Sequence, residues 1–113
     1  MSGITTHVLD TSRGRPAQGI PVTLEFEAGG GWKLVGKGTT NADGRISDLV
    51  SADADIAPGV YRLIFDTGKY FANHQVESFY PQVTIIFRLA DVAQHYHVPL
   101  LLSPFGYSTY RGS

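Results

Sequence analysis

Two histidines near the end of the sequence, His95 and His97, are the side chains best suited to chemistry. They lie two positions apart in an apolar run over 95–102, which predicts a β-strand. Side chains two apart in a strand share one face, so both imidazoles are expected on the same side of a sheet. The alternate residues are expected to face the core: Tyr96, Val98, Leu100 and Leu102.

Three roles remain open for this histidine pair. With His7 as a third imidazole the pair could bind zinc, but no carboxylate or thiolate accompanies it at the spacing of a metal motif. A second role is acid–base catalysis, because histidine titrates near neutral pH. The third is an interface without chemistry, which the pattern alone favours, since Pro99 and Leu101 share the histidine face. We predict a site with no metal and no cofactor.

Two more basic residues and the last four residues are further candidates. His7 shares a strand face with Thr5 and Leu9, and such a histidine is usually structural. Arg45 follows the Asp-Gly turn of a hairpin tip, where an arginine is usually exposed. Its guanidinium would nevertheless suit a planar, anionic heterocycle. The segment 110–113 directly follows a strand rich in tyrosine and threonine, which makes it a candidate functional part. His74 lies in the predicted helix and is assigned no role.

The elements that must position these residues are short runs of alternating apolar and polar residues. They predict eight strands in an antiparallel β-sandwich, over 4–10, 22–26, 32–39, 44–50, 59–65, 83–89, 95–102 and 106–112. One segment, 66–76, predicts a short helix with Asp66 or Thr67 as its N-cap. The length of 113 residues predicts a single domain over 1–113.

Composition excludes several classes of function. Nine Lys and Arg balance ten Asp and Glu, so no basic surface for nucleic acid is expected. The absence of cysteine removes disulfides and thiol chemistry. The apolar runs are too short to span a membrane, and the first residues show no secretory signal. We therefore expect a cytoplasmic protein, with the periplasm or peroxisome open if a leader has been removed.

The sequence resembles the 5-hydroxyisourate hydrolases, the transthyretin-related enzymes of urate degradation, over essentially its whole length. The segments that carry the resemblance are HVLDT at 7–11, GRPA at 14–17, TNADGR at 40–45, HYHVPLLLSP at 95–104 and YRGS at 110–113. The terminal YRGS is the most specific of them, because it separates the hydrolases from the hormone-carrying transthyretins.

The resemblance implies an all-β, transthyretin-like sandwich of two four-stranded sheets with one short helix. It also implies a homotetramer with sites at the dimer–dimer interface, in which 5-hydroxyisourate is hydrolysed to 2-oxo-4-hydroxy-4-carboxy-5-ureidoimidazoline. A non-catalytic carrier of thyroid-hormone type is the alternative. An immunoglobulin-like structural domain is a third interpretation. The absence of a cysteine pair and of a secretory signal argues against it.

The family's functional positions fall on His7, Arg45, His97 and the tail from Tyr110 to Ser113. The resemblance implies that His7 or His97 activates water and that Arg45 holds the developing negative charge. Tyr110 and Arg111 are expected to bind substrate together with His7 and Arg45. Ser113 would contribute its hydroxyl and carboxylate to the catalytic group. His95 ranks second, as a residue that orients His97.

Overall fold

A computed structural model of the chain describes residues 3–50 and 54–113. Within these residues the elements are β1 (Gly3–Asp10), β2 (Arg15–Pro16), β3 (Pro21–Ala28), β4 (Gly31–Thr39), β5 (Gly59–Phe65), α1 (Thr67–Asn73), β6 (Val83–Leu89), β7 (His95–Ser103) and β8 (Gly106–Thr109). Residues 1–2 and 51–53 of the predicted domain lie outside the described part.

The strands form two four-stranded sheets, which confirms the predicted sandwich with one short helix. Their strand orders are β2-β1-β7-β8 and β4-β3-β5-β6. The prediction of a purely antiparallel sandwich is wrong at one place, because β1 and β7 run parallel. The alternation of apolar and polar residues predicts which face of the sheet each side chain takes. It does not predict whether the neighbouring strand runs parallel or antiparallel. That direction depends on how the chain crosses between the sheets.

The two sheets enclose the core with alternate residues of each strand. In β1, Ile4 and Val8 are buried while Thr5 and His7 are half-buried on the outer face. In β7, the four residues predicted to face the core are all buried: Tyr96, Val98, Leu100 and Leu102. The outer face of the β1–β7 pair therefore carries the histidines.

The strand predicted over 44–50 is wrong. Only Arg45 makes a β-bridge there, to His7, and the following residues form turns and bends. Ile46 and Leu49 are buried although they lie three positions apart, a spacing that a strand would place on opposite faces. The apolar residues of this segment pack into the core from an irregular connection.

The strand predicted over 106–112 ends at Thr109. Proline has no N–H, so Pro99 cannot donate to continue the ladder between β7 and β8. The Thr109 hydroxyl donates to the Pro99 carbonyl instead, at 2.7 Å. The pairing resumes in the same register at Gly112, which forms a bridge with His97.

The helix α1 lies within the segment predicted for it. Asp66 is its N-cap, and the Asp66 side chain accepts a hydrogen bond from the Lys69 N–H at 3.4 Å. Gly68 lies inside the helix. The position favours glycine because a Cβ there would be 2.6 Å from the Pro81 carbonyl oxygen. No helix in residues 3–50 and 54–113 is long and apolar enough to cross a membrane.

The contact between β4 and the segment after Arg45 leads to a stability prediction. A Cβ at Gly36 would lie 1.9 Å from the Leu49 carbonyl oxygen, so Gly36→Ala displaces backbone. We expect Gly36→Ala to lower the free energy of unfolding by about 1–3 kcal/mol, measured by urea denaturation. Gly31→Ala, in the same strand with nothing within 4 Å of the added carbon, is the control. Equal midpoints for the two variants would contradict this packing.

Candidate functional site

The parallel pairing of β1 and β7 brings a threonine between the two predicted histidines. Thr5 is the register partner of His97. Thr5 Oγ1 lies 2.8 Å from His95 Nε2 and 2.8 Å from His97 Nδ1. Nε2 of His97 is therefore the ring nitrogen left to exchange a proton with a molecule outside the sheet.

Arg45 reaches the same face from a tightly bonded turn. The Asn41 side-chain oxygen accepts hydrogen bonds from the N–H groups of Asp43 and Arg45, at 2.9 and 3.1 Å. Gly44 has a φ of 75°, and a Cβ there would lie 2.3 Å from the Val8 carbonyl oxygen. The Gly44 carbonyl also accepts from the Val8 N–H at 2.8 Å. These contacts fix the turn against β1 and direct Arg45 beside His7.

The last residues close the other side of the site. The Gly112 N–H donates to the His97 carbonyl at 2.8 Å, which places Ser113 beside the histidines. Pro99, expected on the histidine face as part of an interface, is already buried within the single chain. The tail covers it, since a Cβ on Gly112 would lie 3.3 Å from Pro99 Cγ.

These parts surround a cavity of about 510 Å³. Among the described residues, its one apolar lining residue is Ile46, and the others are Thr5, Thr6, Asn41, Arg45, Ser47, His95, His97 and Ser113. Two imidazoles, a guanidinium and several hydroxyl groups suit a small polar ligand with many hydrogen-bonding atoms. The cavity thus brings together three of the predicted site residues: Arg45, His97 and Ser113.

Burial and neighbouring charges both favour the neutral form of His97. Burial lowers the pKa of His97, and the positive charges of Arg45, His7 and His95 lower it further. A half-buried neutral imidazole with an available nitrogen can accept a proton from water. The direction of this pKa shift therefore fits the predicted acid–base role.

His7 lies beside the cavity. It pairs with Arg45 through the β-bridge, and its ring lies next to Gly44, where an added Cβ would be 3.3 Å from His7 Cδ2. Within residues 3–50 and 54–113, no three histidine or acidic side chains are grouped to hold a metal ion. The absence of a metal and of a cofactor stays a prediction.

Tyr110 and Arg111 lie away from this cavity. The Arg111 guanidinium carbon lies 4.4 Å from the centre of the Tyr96 ring, and Nη2 donates to the Gln94 side-chain oxygen at 2.8 Å. With the edge of β6, Tyr110 and Arg111 line a second cavity of about 310 Å³. Their predicted role in substrate binding stays a prediction.

Sequence reasoning did not assign the cavity's remaining polar residues: Thr5, Thr6, Asn41 and Ser47. The period-two pattern already places Thr5 on the face of His7. Its contact with both histidines required the parallel register of two strands about ninety residues apart in the chain. That register has no local signal.

The close approach of the tail to His97 leads to a second prediction. A Cβ at Gly112 would lie 2.6 Å from His97 Cδ2, so Gly112→Ala must displace the imidazole or the tail. We expect an activity loss of about 10- to 100-fold, because small displacements of a reacting group have large kinetic effects. Gly106→Ala is the matched control, since its Cβ would meet only Ser103 Oγ at 3.8 Å. Equal rates for both variants, measured with the substrate proposed below, would contradict the prediction.

The two four-stranded sheets, the short helix and the histidine–arginine cavity define a transthyretin-like sandwich. The model of the HIUase/Transthyretin family matches residues 4–112, and the chain belongs to that family. A 5-hydroxyisourate hydrolase of Halalkalibacterium halodurans is 50% identical to the chain, with 100% of both proteins covered.

Two solved structures of similar proteins share this fold. That of Klebsiella pneumoniae 5-hydroxyisourate hydrolase has a TM-score of 0.85 and 39% identity, covering 100% of this chain and 94% of that one. Sea bream transthyretin in complex with thyroxine has a TM-score of 0.90 and 32% identity, covering 96% of this chain and 93% of that one. The fold is thus common to an enzyme and to a hormone-binding protein, and the function must be argued from the site.

Proposed function

We propose that this chain is a 5-hydroxyisourate hydrolase of urate degradation and that residues 1–113 form one domain with this activity. The observation that carries the proposal is the polar cavity, which His97, with its lowered pKa, lines together with Arg45. The 50% identity to a 5-hydroxyisourate hydrolase over the full chain supports 5-hydroxyisourate as the substrate. The reaction opens the six-membered ring of the substrate at a C–N bond of cyclic-amide type.

In the proposed first step, water attacks the ring carbonyl carbon next to the breaking C–N bond. Nε2 of His97 accepts one proton of this water as its oxygen bonds to carbon. His97 fits this role better than His7 because it lines the cavity and burial lowers its pKa. A positioned base contributes roughly 10²–10⁴-fold to the rate.

The attack leaves negative charge on the former carbonyl oxygen, and Arg45 is the group proposed to hold it. Its guanidinium forms planar, bidentate hydrogen bonds, and its charge does not depend on pH near neutrality. The C–N bond then breaks, and the leaving nitrogen takes a proton from the histidine system. His7, bridged to Arg45, is proposed to fix Arg45 and to bind substrate with it.

Ser113 is proposed to bind the substrate or its attacking water through its hydroxyl, because it lines the cavity. Tyr110 and Arg111 lie at the second cavity within one protomer. Their proposed contribution is therefore to bind substrate across a subunit interface. This proposal requires an oligomer.

We propose a homotetramer with the sites at the dimer–dimer interface. The strands β6 and β8 are each at one edge of their sheet, and residues of both line the second cavity. They carry exposed apolar side chains, including Ile86 and Tyr107 with 61% and 42% of their surface accessible. Such edges pair readily with a second copy of the same chain. Light scattering during size-exclusion chromatography tests this, and a monomer at micromolar concentration would contradict it.

A carrier of small aromatic molecules is the alternative function, and the likeness to the thyroxine-bound transthyretin favours it. The cavity lining speaks against a carrier of this type. Arg45, His95 and His97 would need to lose water against an apolar ligand, which costs binding energy. A polar heterocycle replaces that water with hydrogen bonds.

The decisive experiment follows the ultraviolet absorbance of 5-hydroxyisourate made in place from urate and urate oxidase. We expect the absorbance to decay at a rate proportional to the concentration of this protein. Decay at the spontaneous rate at every protein concentration would overturn the hydrolase. A saturable thyroxine titration in that case would establish the carrier.

The cytoplasm is the proposed compartment, with the periplasm and peroxisome as the other candidates. The lack of cysteine means that no disulfide calls for an oxidising compartment. Cell fractionation with an antibody to the full chain tests this placement. Recovery with a periplasmic or peroxisomal marker would contradict it.

A further inference from the structure

We infer that Thr5 is a positioning residue. Its hydroxyl determines which ring nitrogens of His95 and His97 carry a proton, and it passes a proton between the two rings. This inference rests on the proposed function, because it assigns a role beside the proposed base. The observation is the position of Thr5 Oγ1, which lies 2.8 Å from one ring nitrogen of each histidine.

The hydroxyl has one proton, so it can donate to only one of the two imidazoles. Where it donates to one of them, it accepts from the other, because both distances are those of hydrogen bonds. With both histidines neutral and the hydroxyl donating within the pair, one ring nitrogen facing Thr5 carries a proton and the other does not. The tautomer of His95 therefore determines the tautomer of His97.

One of the two arrangements prepares His97 as a base. In it, His97 Nδ1–H donates to Thr5 and the Thr5 hydroxyl donates to Nε2 of His95. The second nitrogen of His97, Nε2, then holds a lone pair toward the cavity. The opposite arrangement puts a proton on His97 Nε2 and blocks proton abstraction from water.

The same contacts let the positive charge leave the half-buried ring. When His97 Nε2 takes a proton from water, its Nδ1 proton moves to Thr5 Oγ1 and the hydroxyl proton moves to His95 Nε2. His97 is then neutral with Nε2–H, and His95, which is exposed to solvent, carries the charge. The reverse transfer follows when Nε2–H protonates the leaving nitrogen. Burial of His97 favours this direction, because a charge is more stable in water than in a half-buried position.

Thr5→Val removes the hydroxyl at nearly constant shape, and Thr5→Ser keeps it. We expect Thr5→Val to lower kcat by about 10- to 100-fold with little change in KM, the loss typical when the partner that orients a functional histidine is removed. Thr5→Ser should retain most of the rate. Thr23→Val is the control, because Thr23 is half-buried in β3 of the other sheet. Wild-type kcat in Thr5→Val would overturn the inference.

Two further measurements keep the test independent of how Thr5→Val folds. His95→Gln retains a polar side chain but cannot take up the proton, so we expect kcat to fall here as well. A wild-type rate would overturn the transfer. Nitrogen-15 NMR of the wild-type protein without substrate should show a proton on His97 Nδ1 and none on His95 Nε2. The opposite pattern would overturn the inference whether or not 5-hydroxyisourate proves to be the substrate.

Discussion

Replacing His97 with asparagine is expected to lower kcat for 5-hydroxyisourate by about 10²–10⁴-fold, the usual contribution of a positioned general base. Asparagine retains polar atoms near the position of Nδ1 but has no basic nitrogen in place of Nε2 to accept the proton of the attacking water. KM should change little, because the loss is confined to the transition state. The measurement is the initial rate of absorbance decay over a range of substrate concentrations.

The control for this variant is His74→Asn. His74 lies at the end of α1, exposed, and contacts Arg13 instead of the cavity. It should retain the wild-type rate. If His97→Asn is folded and stays within about two-fold of the wild-type kcat, His97 is not the base. A much larger loss in His7→Asn would then move the role to His7.

Arg45→Gln is expected to reduce kcat by about 10²–10³-fold, because removal of one group that holds a developing oxyanion has an effect of this size. The variant should also change the pH dependence. The Arg45 charge is one cause of the lowered pKa of His97, so its removal raises that pKa toward the ordinary value of 6.5. The acidic fall in kcat/KM should therefore move to higher pH, and relative activity at the acidic end should drop.

Arg45→Lys separates the two effects. Lysine keeps the charge but loses the planar fork, so the acidic limb should stay near its wild-type position while kcat still falls. Arg15→Gln, which removes an exposed arginine of β2, should change neither quantity. An acidic limb that is identical in wild type and Arg45→Gln would contradict the electrostatic coupling of Arg45 to His97.

The elements that were predictable from the sequence are those with a strong period of two. The faces of β1 and β7 follow from alternation, and the helix follows from its N-cap at Asp66 and the interruption of the strand pattern. Arg45 and the histidines were identified from residue type and from a family resemblance. Their assembly in one cavity was an implication of that resemblance.

The rest could not be predicted, because its causes are not local. The segment after Arg45 contains β-branched residues and was expected to be a strand, yet Ile46 and Leu49 are buried from turns against two glycines of β4. The end of β8 is decided by a proline on the neighbouring strand. Thr5 acquires its role through a parallel register with β7. In each case a partner distant in the chain determines the outcome.

The parallel pairing of the first strand with the seventh also has a consequence for biosynthesis. Gly3 pairs with His95, so β1 must wait for about ninety further residues to be translated before its main partner exists. At roughly 5–20 residues per second, that delay is about 5–20 s, during which β1 has only the short strand β2 as a partner. The cavity joins Thr5 to Ser113, so its lining is complete only after Ser113 has left the ribosome. A nascent chain of this protein is therefore without its proposed activity until Ser113 has emerged.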